Sequence, residues 1–490
     1  MNYIKSTMET TAEHCCECEK LRAGLIKVQH DYDWLKRQLF GQKSERFISN
    51  DQQMALDLGI TPAEVTSKKT ETVTYERTTT EKKKSGHSRE TMPTHLPFED
   101  VDIYPDEDIE GLKEISTEIS WEYLYEPGSL KIRRFLRHKY ARPLSDGVVI
   151  GALPARPIEK GNFSPEFMST VTINKYVYHI PLWRQIKKFN DEYKVVFSES
   201  TFCDIIAKTA FWLEAAYRIF KEDILNASYL QVDETKIPVL IKSKKGKAHK
   251  GFYWVYYDPL RKIVLFEYCY SRKKEHPFEF LHDFKGTLQV DGYAGYNQVL
   301  DKEDVVWAAC MDHVRRKFEK ALSYDKQRAQ YALETMREWY EREADARKSQ
   351  HTFDQRRAMR QEHIAGSMTS FKAWCFEQVK QDRPESPIRK ASEYALGQWD
   401  GFNAYLTDGR IEISNIRVEN LIRPVAIGRK NYMFKGSEAA AQRGAIIYSI
   451  VATAQLHGKN PREYVKELLE KLPAAKAHKI RSFLPYQNNQ

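Results

Sequence analysis

Hydrophobic periodicity divides the second half of the chain into regions of different character. From residue 227 to 310, apolar and polar residues alternate in short runs, which is typical of β-strands. A helix-sized stretch, His276 to Phe284, separates the third run from the fourth. From about 312 to 402 the pattern is helical and strongly charged. Strand-like character returns only near Tyr405 and Ile411, so the pattern predicts a sheet with an all-α segment inserted into it.

The order of these elements predicts the fold class. Three strands, a helix, a strand, a second helix and a last strand are the order of a ribonuclease-H-like α/β core, here with an all-α insertion. Helix starts are predicted at Ser164, near Ser200 and at Asn460. Ser414 is a candidate N-cap of a short helix that ends before Pro424, because the residue before a proline disfavours helical angles.

The first half of the chain has weaker patterns. Apolar residues occupy a and d positions from Leu21 to Leu39, over about three heptads, which predicts either a self-association helix or an amphipathic helix packed on its own domain. Residues 61–90 are nearly empty of large apolar groups, as linkers are. Between 164 and 226, short helices with a basic stretch, Arg184 to Lys188, fit a DNA-reading helix-turn-helix or ordinary helical packing.

Composition narrows the class of protein. The chain has 490 residues and a formal charge of +9, which favours polyanionic partners. No run of ~18 apolar residues and no signal peptide is present, so we expect a cytoplasmic protein without membrane association. The seven cysteines are odd in number and mostly isolated, which fits reduced thiols better than a disulfide framework.

Three acids are candidates for metal chemistry. Gln231-Val232-Asp233 is repeated as Gln289-Val290-Asp291, so Asp233 and Asp291 are expected at neighbouring strand ends. Glu419 lies on the predicted helix beyond the insertion. Carboxylate oxygens are the ligands that Mg²⁺ prefers, and two ions ~3.5 to 4 Å apart promote phosphodiester cleavage. We predict two Mg²⁺ or Mn²⁺ ions, with Asp233 bridging both, Asp291 binding one and Glu419 the other.

Each acid also has a simpler explanation. Asp291 precedes Gly292 and is suited to an ordinary turn, and Asp233 is suited to capping the turn that follows it. Glu419 has Arg423 four residues on, where a surface ion pair is routine. Buried aspartates without a partner are costly, however, and two of them in equivalent settings favour cations.

Basic residues cluster around the predicted acids. The loop at 238–250 contains five lysines and no acid, and the stretch 417–435 contains five basic residues against one acid. Positive charges that meet phosphates strengthen binding at low salt, although solvated surface lysines are the alternative explanation. The predicted DNA contacts are Lys242, Lys244, Lys245, Lys247, His313, Arg315, Arg316, Arg423, Arg429, Lys430 and Lys435.

These patterns together predict the domain organisation. In chain order we expect an N-terminal helical segment with a possible short coiled coil (1–60), a linker (61–95), a mixed α+β DNA-binding region (96–226), the α/β core (227–312 and 403–440) with its all-α insertion (313–402), and C-terminal helices (441–490).

Several motifs taken together resemble one protein family. LQVDGYAGY at 288–296, HVRRKF at 313–318, and DGR at 408–410 followed by VENLIRPVAIGRKNYMFKGSEAA at 418–440 are similar to transposases of the insertion sequence 66 family. QLFGQKSERF at 38–47 and KYVYHIPLWRQ at 175–185 resemble other segments of that family. The resemblance covers nearly the whole chain.

The resemblance implies a function and its residues. It implies a ribonuclease-H-like catalytic domain with an Asp, Asp, Glu triad, which falls on Asp233, Asp291 and Glu419. It also implies metal-dependent hydrolysis at the ends of a mobile element, attack of the freed 3′ hydroxyl on target DNA, a helical insertion before the glutamate, and accessory proteins of the same element. We expect a homodimer or higher oligomer on double-stranded DNA, in the bacterial nucleoid.

Two alternatives and one departure accompany this resemblance. A ribonuclease-H-like nuclease or resolvase would stop after hydrolysis, and a transposase-derived regulator would bind DNA without cleaving it. Family members often carry a cysteine-based zinc motif ahead of the catalytic domain, but residues 19–202 contain no cysteine, so zinc is not expected. His14, Cys15, Cys16 and Cys18 lack a second ligand pair at finger spacing, so the three cysteines are interpreted as free thiols.

Overall fold

The structure is a computed structural model, and it describes residues 161–241 and 247–486 together with Gly128, Leu130, 139–141, 148–150 and 155–158. All of these except Gly128 and Leu130 belong to one compact unit. The predicted N-terminal helix (1–60), the linker (61–95), the cysteine cluster at 15–18 and the loop residues Lys242, Lys244 and Lys245 lie outside the described residues.

A five-stranded mixed sheet forms the centre of this unit. A separate antiparallel pair, β1 (Lys139–Ala141) and β2 (Val148–Ile150), precedes it. The strands of the main sheet are β3 (Tyr229–Leu240), β4 (Ala248–Asp258), β5 (Ile263–Cys269), β6 (Gly286–Gln289) and β7 (Val305–Ala308), in the spatial order β5-β4-β3-β6-β7. β3, β4 and β5 are antiparallel, whereas β3, β6 and β7 are parallel. The alternating pattern predicted all five strands.

Helices surround the sheet. They are α1 (Pro165–Tyr176), α2 (Leu182–Tyr193), α3 (Glu199–Leu225), α4 (Glu275–Phe280), α5 (Asn297–Leu300), α6 (Met311–Ala321), α7 (Lys326–Lys348), α8 (Phe353–His363), α9 (Ala365–Gln381), α10 (Pro387–Gly397), α11 (Trp399–Thr407), α12 (Ile416–Tyr432), α13 (Glu438–Leu456) and α14 (Pro461–Lys471). Ser164, Ser198 and Asn460 accept backbone N–H groups at the starts of α1, α3 and α14, as predicted from the sequence. No described helix is long and apolar enough to cross a membrane.

The segment before α12 differs from the prediction. The helical insertion extends to Thr407, so Tyr405 is helical, and Ile411 lies in an irregular segment rather than in a strand. Ile411 and Ile413 are both buried, and this alternation resembles a strand in sequence. The N-cap of α12 is Asn415 rather than Ser414, and the helix continues through Pro424 to its end. α12 packs on β3 and β4, and this tertiary packing outweighs the local preference of the proline.

Both faces of the sheet are covered. β4 is buried without interruption from Gly251 to Asp258. On one face the Tyr253 hydroxyl donates to the Ala441 carbonyl of α13 at 2.7 Å, and α13 packs against β5. On the other face Tyr256 stacks on Phe280 of α4, with ring centroids 4.0 Å apart. The unit therefore has three layers, with the sheet between two layers of helices. β3 lies between β4 and β6 and is the central strand of the sheet.

Candidate active site

Asp233 and Asp291 occupy equivalent positions on neighbouring parallel strands. β3 and β6 pair at Gln231 with Gln289, two residues before each aspartate. β6 ends at Gln289, so Asp291 lies just beyond its strand, as predicted. β3 continues to Leu240, so Asp233 lies within its strand rather than at the end. Both acids lie just beyond the last residue pair of the parallel ladder between β3 and β6.

Asp233 lies among other acids. Its Oδ1 accepts the backbone N–H of Glu234 at 2.8 Å. Burial raises the pKa of Asp233 well above its usual value, and the negative charges of Glu234, Glu419 and Asp291 raise it further. A carboxyl group in this setting ionises more readily when a cation binds near it.

Asp291 begins a tight turn that packs against the helical insertion. Its Oδ1 accepts the backbone N–H of Tyr293 at 3.0 Å, which is the turn-forming contact that its position before Gly292 suggested. A Cβ at Gly292 would lie 2.8 Å from Nε2 of Gln398 and 3.0 Å from the hydroxyl of Tyr394. A glycine therefore suits this position, because a larger residue would require the Gln398 and Tyr394 side chains to shift.

Glu419 lies in the first turn of α12 and is bound by side chains from α6. Arg316 donates to both carboxylate oxygens, at 3.1 Å from Nη1 to Oε1 and 2.5 Å from Nη2 to Oε2. Nε2 of His313 is 3.7 Å from Oε1. Burial lowers the pKa of Arg316, but the hydrogen bonds and charge of Glu419 outweigh burial and raise it above its usual value. His313 and Arg316, which were predicted as DNA contacts, thus hold the third acid.

Glu234 is a fourth acid that the sequence analysis missed. Its side chain is 4% exposed, and Arg272 donates to its Oε1 at 2.6 Å while the Tyr296 hydroxyl donates to its Oε2 at 2.9 Å. Burial raises the pKa of Glu234, and the charge of Asp291 adds to this while Arg272 opposes it. The signal in the sequence was a second acid directly after Asp233. Because side chains alternate between the two faces along a strand, Glu234 lies on the opposite face of β3 from Asp233.

The donor set is suited to a hard cation, although its present arrangement is not a ligand cage. Within the described part of the chain, no group of three or more His, Cys, Asp or Glu side chains is arranged to hold a metal ion. Glu419 is turned towards Arg316, and Asp233 and Asp291 each accept a backbone N–H. Carboxylate oxygens are nevertheless the donors that Mg²⁺ and Mn²⁺ prefer. The assignment of these acids to a metal site stays a prediction.

Two of the predicted DNA contacts are buried. Arg315 is 4% exposed and forms ion pairs within α6. Lys435 is 6% exposed, and its ammonium group lies over the rings of Tyr176, Tyr432 and Tyr448. Neither side chain is available to a phosphate, which corrects the prediction for both. Clustering of basic residues in sequence does not distinguish the inner face of an element from its outer face.

Several other basic residues of the predicted set are more accessible to solvent. Arg429 is partly buried and donates to Oγ1 of Thr235 at 3.2 Å and to the Lys236 carbonyl, so it fastens α12 to β3. Burial lowers the pKa of Arg429. Among the members of the predicted set that the structure describes, Lys247, Arg423 and Lys430 are exposed.

Comparison with known proteins identifies the family. The chain belongs to the Transposase IS66 family, whose profile matches residues 160–443 and so includes the sheet, the helical insertion and α12. A second profile, described as Transposase C of IS166 homeodomain, matches residues 28–101. This second match makes a DNA-binding region plausible, and it lies N-terminal to the helices in which a helix-turn-helix was predicted. The protein is therefore of the transposase class, and of the insertion-sequence type.

Three relatives are proteins of Sinorhizobium fredii (strain NBRC 101917 / NGR234). The uncharacterized protein y4jD is 26% identical, and the alignment covers 96% of this chain and 96% of the relative. The uncharacterized protein y4hP is 24% identical over 94% of this chain and 89% of its own length. The uncharacterized protein y4qI is 29% identical over 71% of this chain and 67% of its own length. The similarity thus extends beyond the family profile towards both ends.

Proposed function

We propose that this protein cleaves DNA strands at the ends of an insertion sequence and joins the freed 3′ hydroxyl to target DNA, with Asp233, Asp291 and Glu419 as its catalytic acids. One observation carries the proposal. The parallel pairing of Gln231 with Gln289 brings Asp233 and Asp291 to the same level of neighbouring chain segments, and the negative charge of Glu419 contributes to the raised pKa of Asp233.

The sheet supports a ribonuclease-H-like core for this activity. An antiparallel meander of β5, β4 and β3 is followed by β6 and β7, which pair in parallel on the other side of β3. Adjacent parallel strands direct their carboxyl ends to one edge of a sheet, and this is where ligand sites of α/β proteins form. The helical insertion leaves the core after β7 and returns to it before α12.

Asp233, Asp291 and Glu419 would hold two Mg²⁺ or Mn²⁺ ions. When bound, such ions supply a nucleophilic oxygen at neutral pH and stabilise the charge on the leaving oxygen. Arg316 and His313 orient the Glu419 carboxylate, and the positive charge of Arg316 offsets part of the negative charge that the acids present to DNA. A cation that binds Glu419 would displace the Arg316 guanidinium group. The partial exposure of the Arg316 side chain, 41%, is compatible with such a displacement.

The proposed partners follow from the family and from the surface charges. Double-stranded DNA, as element ends and as target, would contact the exposed Lys247, Arg423 and Lys430 and the region matched by the homeodomain profile. Joining two ends to a target requires at least two such sites, so we propose a homodimer or higher oligomer on DNA. Accessory proteins of the same element are further proposed partners.

The decisive test is the substitution Asp233→Asn. It should abolish Mg²⁺- and Mn²⁺-dependent cleavage of DNA carrying the element ends and leave binding of that DNA largely intact, because the amide keeps the shape but not the charge of the ligand. Asp283→Asn is the matched control, since this carboxylate is 87% exposed and lies outside the site. Normal cleavage by Asp233→Asn would remove the proposed role.

The products of the same assay separate the alternative functions. A transposase yields joined products in which an element end is covalently linked to target DNA. A nuclease or resolvase yields cleaved ends without joining, and a non-catalytic regulator yields bound but intact DNA.

A further inference from the structure

The glutamines of the repeated Gln-Val-Asp motif lie at the centre of a buried hydrogen-bond cluster. Gln231 and Gln289 are both 0% exposed, and Nε2 of Gln231 donates to Oε1 of Gln289 at 2.9 Å. The hydroxyl of Tyr229 donates to the same Oε1 at 2.5 Å and lies 3.1 Å from Nε2 of Gln231. These three side chains, called the Gln-Tyr cluster below, join β3 to β6 directly beneath the two aspartates.

The Gln-Tyr cluster binds the backbone that leads into α12. Nε2 of Gln289 donates to the Glu412 carbonyl at 2.8 Å, and Nε2 of Gln231 donates to the Ser414 carbonyl at 3.1 Å. The Glu412 N–H donates to the hydroxyl of Tyr229 at 3.1 Å. Ser414 is followed by Asn415, the N-cap of α12, whose first turn carries Glu419. One cluster therefore contacts all three chain segments that carry the acids.

The cluster also reaches the helix whose side chains bind Glu419. Nε2 of Gln289 donates to the Ala309 carbonyl at 3.0 Å, just after β7. Two residues later, the Met311 N–H donates to the Ile413 carbonyl at 3.1 Å as α6 begins. The position of Glu419 and that of its partners on α6 thus depend on the same set of buried bonds.

The hydrogen bonds of the Gln-Tyr cluster fix the relative positions of its groups more closely than a contribution to stability alone would require. A buried hydrogen bond contributes only about 1 kcal/mol net, and apolar side chains of similar shape often replace a polar pair without loss. Hydrogen bonds fix donor and acceptor in distance and angle, which apolar contacts do not. A backbone segment held by three of them has a defined place relative to β3 and β6.

We propose that Tyr229, Gln231 and Gln289 are positioning residues that set Glu419 at the distance from Asp233 and Asp291 that cation binding requires. This inference rests on the proposed function of the three acids. The cluster acts through the backbone and touches neither DNA nor ion. Its loss should therefore weaken the response to metal while leaving DNA binding in place.

Tyr229→Phe is the most conservative test. It keeps the buried ring but removes the donor to Gln289 and the acceptor of the Glu412 N–H. We expect the Mn²⁺ concentration that gives half-maximal cleavage of end DNA to rise about tenfold, as is common when supporting partners of metal ligands are lost. Cleavage should recover at high Mn²⁺, and binding of end DNA without metal should be unchanged. Gln289→Leu should give a larger shift in the same direction.

Thr453→Val is the matched control for lost buried hydrogen bonds. Its hydroxyl accepts from the Val264 N–H at 3.0 Å and donates to the Val264 carbonyl at 3.3 Å, on the outer strand β5. This variant should lower the melting temperature comparably without changing the half-maximal Mn²⁺ concentration. If Tyr229→Phe has the wild-type Mn²⁺ dependence, the positioning role is wrong. Cleavage by Asp233→Asn would instead overturn the proposed function itself, so the two failures are distinguishable.

Discussion

At the scale of single residues, burial decides which charges near the acids meet solvent. Lys430 and Lys435 lie in one basic stretch of sequence, but Lys430 is exposed on α12 while Lys435 lies beneath three tyrosine rings. Cation–π contacts compensate part of the desolvation of such an ammonium group. The two lysines therefore differ in what they offer to DNA.

Lys430→Ala should weaken binding of end DNA and flatten its salt dependence. Loss of one phosphate contact lowers the slope of log K against log salt by about one. Lys435→Met, which removes an equal formal charge from the same stretch, should leave that slope unchanged because the buried ammonium group contacts no phosphate. Titrations of labelled end DNA at several salt concentrations measure both slopes, and equal slopes for Lys430→Ala and wild type would place Lys430 away from DNA.

At the scale of elements, α12 is fastened to β3 near its end as well as at its start. Arg429 donates to the Lys236 carbonyl, and the chain then passes alongside β3, where the Lys435 N–H donates to the Pro238 carbonyl and the Leu240 N–H donates to the Lys435 carbonyl, both at 2.9 Å. This short parallel pairing occupies the flank of β3 that β6 leaves free. It also directs the Lys435 side chain into the protein interior.

The burial of Lys435 should appear in the pH dependence of stability. Burial lowers the pKa of Lys435 to about 7, whereas the unfolded chain keeps the ordinary lysine value. Between these values the unfolded state binds the extra proton, so the free energy of unfolding should rise by up to about 1.4 kcal/mol per pH unit above about pH 7. Urea unfolding from pH 7 to 9 should give a smaller rise for Lys435→Met. Identical slopes would mean that Lys435 stays protonated in its ring of tyrosines.

The elements differ in how far the sequence predicts them. The strands carrying Asp233 and Asp291 were predictable because apolar alternation and the repeated motif are local signals. Continuation of α12 through Pro424 was not, since packing on β3 decides it. The pairing of Glu419 with Arg316 depends on how the insertion returns to the sheet, and the Gln-Tyr cluster joins residues that are far apart in the chain. No local pattern encodes such contacts.

At the scale of the whole molecule, the helical insertion is bound to the core by a buried ionic network. Glu343 on α7 is 0% exposed and accepts from Arg360 at 2.6 Å, from Arg356 at 2.7 Å and from the Tyr405 hydroxyl at 2.8 Å. Arg360 also donates to the Ile411 carbonyl at 2.8 Å. The insertion thus holds the same irregular segment that the Gln-Tyr cluster holds from the sheet side.

Glu343→Gln should destabilise the protein by roughly 3 kcal/mol, because it leaves the buried Arg360 without a carboxylate partner while Arg356 keeps Glu412. Glu341→Gln on the same helix is the matched control, since this carboxylate is 62% exposed and should change stability by less than about 0.5 kcal/mol. Denaturant unfolding at pH 7 compares the two variants. Equal stabilities would mean that the network contributes little to the attachment of the insertion.

The network also predicts a response to acid. Burial raises the pKa of Glu343, but Arg360 and Arg356 outweigh burial and lower it to about 2. Stability from this group is therefore complete above the unfolded value of ~4.3 and is lost as pH falls towards 2. Glu343→Gln should lack this component in unfolding measured from pH 5 to pH 2.5, and an unchanged acid response would contradict the assignment.

β3 extends well beyond the end of its partner β6, and this affects how far the backbone can move between two of the acids. Side chains join the strand that bears Asp233 to both ends of the helix that bears Glu419, so we expect little backbone movement between these two carboxylates. In the proposed reaction, we expect adjustment between them to come mainly from rotation about side-chain bonds. During that reaction, a DNA strand would therefore have to fit carboxylates whose backbone positions relative to each other are already set.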